Sequence, residues 1–262
     1  MTFKVIFSSP RSRFSSLHLL DDKLVVCDSE SGTILNVEDS SVFSNTVGSP
    51  FSITKSTTGT FVIADKAHKA LLSLSSDEKL EVLCSDFWSK PFLGPHALVY
   101  DGSRIFFSDP GFFGDSGLLN PKGSIFVLVE SSRLLMPIAH NCLAYPSGLA
   151  LSASGNALFC TETGANRVLK FYNKNGSWIP SVFIHLNGRV GPVAVACDVD
   201  DSVYVACTAF SPDTSCLLKY DSVGNLICTF ELPFEQITGL LVKDGSVFVS
   251  SVDSVFELEE VE

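Results

Sequence analysis

His96 and Ser147 are the pair whose side chains could do nucleophilic chemistry. A hydroxyl becomes an attacking group when a nearby imidazole takes its proton. The arrangement needs an acid to orient the imidazole, and none is evident for His96. The Gly-x-Ser-x-Gly turn that exposes a nucleophilic serine is also absent. The two residues therefore read as a polar pair beside trapped water. Glu235, in Phe234-Glu235-Gln236-Ile237, is the second catalytic candidate, set against its reading as a solvated loop acid. Two long segments carry aromatic groups suited to binding: Phe112, Phe113 and Asp115 in 110–122, and Phe210 in 208–215. The eight cysteines form no CxxC pair and none sits near a histidine at metal-ligand spacing. They fall in apolar strand patterns and read as buried free thiols. His18, His68, His140 and His185 show no ligand spacing either.

The elements that must position these groups follow from an internal repeat. Its strongest strand reads Leu24-Val-Val-Cys-Asp28, Phe61-Val-Ile-Ala-Asp65, Ile105-Phe-Phe-Ser-Asp109, Leu158-Phe-Cys-Thr-Glu162, Val203-Tyr-Val-Ala-Cys207 and Val247-Phe-Val-Ser-Ser251. The successive intervals are 37, 44, 53, 45 and 44 residues, close to the roughly 40–50 residues of a four-stranded propeller blade. A preceding strand starts at Pro50, Pro95, Pro146, Pro192 and Ile237, and is degraded to Ser15-Ser16-Leu17 in the first unit. Turn residues such as Asp21-Asp22, Thr58-Gly59 and Asp244-Gly245 separate the two strands. The pattern predicts an all-β chain, a six-bladed β-propeller forming one domain over 1–262. The sixth unit has room for three strands, 237–243, 246–251 and 254–260. The alternating segment Phe3–Phe7 is expected to supply the fourth and to cover an otherwise unpaired edge.

Blades three to five carry a more specific likeness. Gly94-Pro-His-Ala-Leu-Val-Tyr-Asp-Gly102, Ile105-Phe-Phe-Ser-Asp-Pro-Gly111 and Gly123-Ser-Ile-Phe126 resemble a blade of the gluconolactonase/regucalcin family. Tyr145-Pro-Ser-Gly-Leu-Ala-Leu-Ser152 through Thr163, with Asn166–Phe171, resembles that family and the strictosidine synthase-like proteins equally, and NHL repeats more loosely. The resemblance implies that residues at the start of each innermost strand face a central shaft, where the lactonases hold one divalent metal with Glu, Asn and Asp. Carried over position by position, the family's Glu falls near Phe14 or Ser15, its two Asn on His96 and Ser147, and its Asp on Val193. The remaining ring positions are Phe51 and Thr238. No carboxylate remains for a hard dication, so no metal site and no cofactor are expected. The strictosidine synthase-like pattern needs no metal. Its catalytic Glu falls on Thr238 when registered on Asp244-Gly245, with Glu235 three residues upstream.

Composition removes other classes. The net charge is −11 and the pI near 4.8, which disfavours nucleic-acid backbones and anionic membrane surfaces. The longest apolar runs fall well short of the ~20 residues that span a bilayer, and no signal-peptide core precedes Pro10. A cytoplasmic protein is expected. The leading functional expectation is a non-catalytic module that binds a protein, peptide or small ligand at the shaft mouth through Phe51, His96, Phe112, Phe113, Asp115, Ser147, Phe210 and Thr238. The alternatives are a metal-independent hydrolase or strictosidine synthase-like enzyme, then a metal-dependent lactonase or esterase.

Overall fold

A computed structural model describes residues 2–186, 191–208, 215–243 and 245–259. Two compact units emerge, Ser12–Pro146 and Met1–Arg11 with Ser147–Glu262. The first holds three four-stranded antiparallel sheets. Blade one is Phe14–Leu20, Lys23–Asp28, Thr33–Asn36 and Val42–Asn45. Blade two is Pro50–Lys55, Phe61–Asp65, Ala70–Leu74 and Leu80–Cys84. Blade three is Leu98–Tyr100, Arg104–Asp109, Gly123–Val129 and Leu134–Leu143. The second unit holds blade four (Pro146–Leu151, Ala157–Glu162, Arg167–Lys174, Ser177–His185) and blade five (Pro192–Cys197, Val203–Cys207, Cys216–Tyr220, Leu226–Glu231). Blade six is Ile237–Lys243, Ser246–Ser251 and Ser254–Glu259, with Thr2–Ser8 as its outermost strand. The fold is a six-bladed β-propeller.

The second strands are buried on both faces, as in Phe61–Asp65 and Ala157–Glu162. A strand covered on both sides reads as a continuous apolar run, which is why the repeat was visible there. Successive blades interleave their side chains. Ile53, Ile63 and Leu72 of blade two pack on Val25, Cys27 and Ile34 of blade one. Val62, Ala64 and Leu71 meet Ile105, Phe107 and Phe126 of blade three. In the second unit, Phe159 and Val168 pack on Val205 and Leu218, and Tyr204 and Leu217 on Val247 and Val249. The outer strands are mostly exposed, Leu226–Glu231 among them.

The acids that close the second strands have a structural task. Asp28 accepts the backbone N–H of Arg13 at 3.0 Å. Asp109 accepts those of Leu93 and Gly94 at 2.9 and 2.7 Å. Asp65, with no exposed surface, accepts Ser49 N–H with both oxygens at 3.0 Å, Thr46 Oγ1 at 2.7 Å and His68 N–H at 3.0 Å. Each carboxylate thus ties down the segment leading into its own blade's innermost strand. Asp65→Ala would strand at least two of these donors in the interior. It is expected to cost about 2–4 kcal/mol, read as a lower denaturant midpoint in equilibrium unfolding.

Two details differ from the sequence reading. The innermost strand of blade three begins at Leu98, two residues after His96. In blades two, four and five the corresponding proline opens the strand, whereas in blade three His96 donates its backbone N–H to Ser108 O at 2.9 Å ahead of it. A short hairpin, Asp86–Phe87 with Lys90–Pro91, also lies between blades two and three.

Candidate active site

The chemistry of the first unit gathers on Lys66, the residue after Asp65. Its backbone is fixed by a 2.9 Å bond from its N–H to Ser49 O, and the residue is 5% exposed. The stem passes Gly94 so closely that a Cβ there would lie 2.8 Å from Lys66 Cγ; glycine at 94 is what admits the lysine. The ammonium ends among three rings, 4.7 Å from the centre of Phe51, 5.2 Å from Phe112 and 5.6 Å from Tyr145. It donates a hydrogen bond to Tyr145 Oη at 3.3 Å. Cation–ring attraction is largest where water is excluded. Burial lowers the Lys66 pKa to about 8, against the opposing charges of Asp115 and Asp109. Tyr145 is nearly buried, and its φ of 56° is a left-handed backbone that a tyrosine adopts at a cost. Burial, and next the Asp115 charge, raise its pKa to about 12. The phenol therefore keeps its proton and can donate it.

His96 joins this group. Its ring lies 4.7 Å from Phe51 and 6.3 Å from Tyr145. Phe113 packs edge-on against Tyr145 at 5.1 Å. Phe112 and Phe113 are 52% and 66% exposed, so both present apolar surface to solvent. Asp115, also exposed, turns the segment by accepting Phe112 N–H at 3.3 Å. Five residues singled out in the sequence, Phe51, His96, Phe112, Phe113 and Asp115, thus surround Lys66 and Tyr145. Neither of these last two was singled out. The signal for Lys66 was faint: a lysine directly after a strand-closing acid in a repeat where the other blades have Ser29, Pro110, Thr163, Thr208 and Val252.

Ser147 and Thr238 belong to the second unit. Ser147 is buried, and its hydroxyl meets Thr161 Oγ1, Thr163 Oγ1 and Val193 O at 2.7–2.9 Å. Thr238 Oγ1 lies within 3.3 Å of Ser250 Oγ and of the carbonyls of Ser250 and Ser251. Both hydroxyls hold strands together. Glu235 is exposed on the segment before Ile237, where its carbonyl accepts Ser215 Oγ. Phe210 lies outside the described residues.

The residues onto which the lactonase resemblance carries the metal ligands offer little to a dication. Ser15 Oγ donates to Pro50 O at 2.7 Å and lies 3.1 Å from Cys27 O. Phe51 and Val193 offer no donor atom, and Ser147 and Thr238 are engaged as described. Among the described residues, no three His, Cys, Asp or Glu side chains cluster closely enough to hold a metal. A hard cation needs several oxygen ligands, carboxylates above all, and the Lys66 ammonium would repel it.

Six four-stranded antiparallel blades define a β-propeller. The chain belongs to the SMP-30/Gluconolactonase/LRE-like family, which it matches over residues 17–251. Over 118 residues it is 31% identical to lactonase drp35 of Staphylococcus haemolyticus and 33% to that of Staphylococcus aureus. Those matches cover 42% of this chain and 34% of the relatives, so the chain spans about a third of the length of the curated relatives it matches. Its fold resembles a gluconolactonase from Xanthomonas campestris, with a TM-score of 0.81 at 16% identity over 97% of this chain and 88% of the other. Regucalcin from Agrobacterium tumefaciens, a calcium-binding protein, gives 0.81 at 16% identity over 98% and 93%.

Proposed function

We propose that this chain hydrolyses a small ester or lactone at the aromatic site around Lys66. One observation carries the reading: an imidazole, an ammonium and a phenol converge around the Phe51 and Tyr145 rings of the first unit, beside the exposed Phe112 and Phe113. Membership of a family with lactonase relatives supports hydrolysis over the non-catalytic module expected from the ring positions alone. In this reading Phe112 and Phe113 receive the apolar part of the substrate and exclude water from it. His96 takes a proton from the attacking water as the new C–O bond forms. The tetrahedral adduct then collapses, and the leaving alkoxide recovers that proton. For a lactone the product is a hydroxy acid, with atoms and charge balanced.

The test is turnover of a panel of aliphatic lactones and aryl esters by the natural sequence and two variants. His96→Gln is expected to lower kcat by about 10²–10⁴-fold with KM little changed. Phe112→Ser with Phe113→Ser is expected to raise KM by about tenfold or more, with little change in melting temperature because both rings are exposed. Absence of turnover across the panel, or full activity in His96→Gln, would overturn the assignment.

A further inference from the structure

We infer that the Lys66 ammonium, with the Tyr145 hydroxyl as second donor, is the fixed charge that holds the oxyanion of the tetrahedral adduct, in place of the dication its family relatives use. This rests on the hydrolase reading above. Three features of the geometry carry it. First, the ring positions retain no ligand set for a metal, yet a positive charge stands 4.7 Å from the ring of one of them, Phe51. Second, the charge is built in. Gly94 clears the path of the stem, the Asp65 carboxylate fixes the adjoining segment, and three rings surround the nitrogen. Third, Nζ donates a hydrogen bond to Tyr145 Oη, so the phenol accepts from the ammonium and directs its own proton elsewhere. Two donors side by side among aromatic rings form an oxyanion site, and they strengthen as charge develops on the carbonyl oxygen.

The Asp109 carboxylate is committed to Leu93 and Gly94 N–H. The exposed Asp115 contributes long-range charge that favours the ammonium, and so does Asp109. Because burial brings the Lys66 pKa to about 8, the ammonium is the major form at neutral pH. The activity it supports should fall as pH rises through about 8.

The experiment separates this inference from the hydrolase reading by measuring binding as well as turnover. The probes are the methyl phenylphosphonate anion, which mimics the tetrahedral adduct, and neutral acetophenone. Lys66→Met is expected to lose about 10²-fold or more in kcat and at least tenfold in phosphonate affinity, with acetophenone binding unchanged. Lys66→Arg, which keeps the charge, should recover part of both. Activity of the natural sequence should survive dialysis against a chelator and should not respond to added calcium. If phosphonate binds the natural sequence and Lys66→Met equally, or calcium restores activity lost on chelation, the inference is overturned while the hydrolase reading stands. If phosphonate affinity depends on Lys66 but no panel member is turned over, the charge assignment stands and the hydrolase reading fails. Tyr145→Phe provides an independent check should Lys66→Met fold poorly: it is expected to lose about tenfold in kcat, and unchanged kcat removes the second donor.

Discussion

Lys66→Met is expected to raise the melting temperature while it removes turnover. The physical cause is the burial of the ammonium. Its folded pKa of about 8 lies below the ordinary 10.5, so between those values the unfolded chain binds a proton that the folded chain has shed. Stability therefore rises with pH across that window, and below pH 8 the full desolvation cost is present. The shift corresponds to roughly 3 kcal/mol, offset by about 0.5–2 kcal/mol of attraction from the rings of Phe51, Phe112 and Tyr145. Methionine fills similar volume without charge and tolerates an irregular site. A net gain of about 1–2 kcal/mol amounts to roughly 2–6 °C for a chain of this size. Scanning calorimetry at pH 7 checks it. The difference between variant and natural protein should shrink above pH 8 and vanish near 10.5. A lower melting temperature for the variant at pH 7 would mean that Lys66 serves the fold. A gain in stability with loss of function is the mark of a residue retained for its chemistry.

Removing residues 2–8 is expected to produce the largest loss of stability. Thr2–Ser8 runs antiparallel to Ser254–Glu259, with Phe3 opposite Leu258, Val5 opposite Phe256 and Phe7 opposite Val255. Phe3 packs on the cluster formed by blades five and six, and Ile6 and Phe7 are half-buried. Loss of the ladder and of these contacts should cost about 3–6 kcal/mol, or a fall of roughly 10 °C or more. Ser254–Glu259 would become an exposed edge, so light scattering should show association at lower protein concentration. A truncated chain that melts where the full chain does would show that the strand adds nothing to blade six.

The sixth blade shows how far periodicity alone could go. Three strand patterns in 237–260 and one spare alternating segment in 3–7 were enough to predict the pairing, because a strand edge has to be covered by something. The second strands were equally legible, since burial on both faces leaves only apolar choices. Register was less so. His96 was placed on a strand and lies ahead of it, although Pro50, Pro146 and Pro192 at the matching positions open theirs.

At the site, the residues recognised from sequence were those marked by repeat position or by aromatic type. Phe51 and His96 stood at ring positions, while Phe112 and Phe113 stood out in a long loop. Ser147 and Thr238 shared the same positions, yet their hydroxyls turn to neighbouring strands, a choice of rotamer that no spacing encodes. Lys66 and Tyr145 are 79 residues apart, and their contact depends on the approach of blade two to the segment that closes blade three. Lysine in a sequence reads as a solvated surface charge. Only tertiary packing could remove its water, surround it with three rings and so change what its ammonium does.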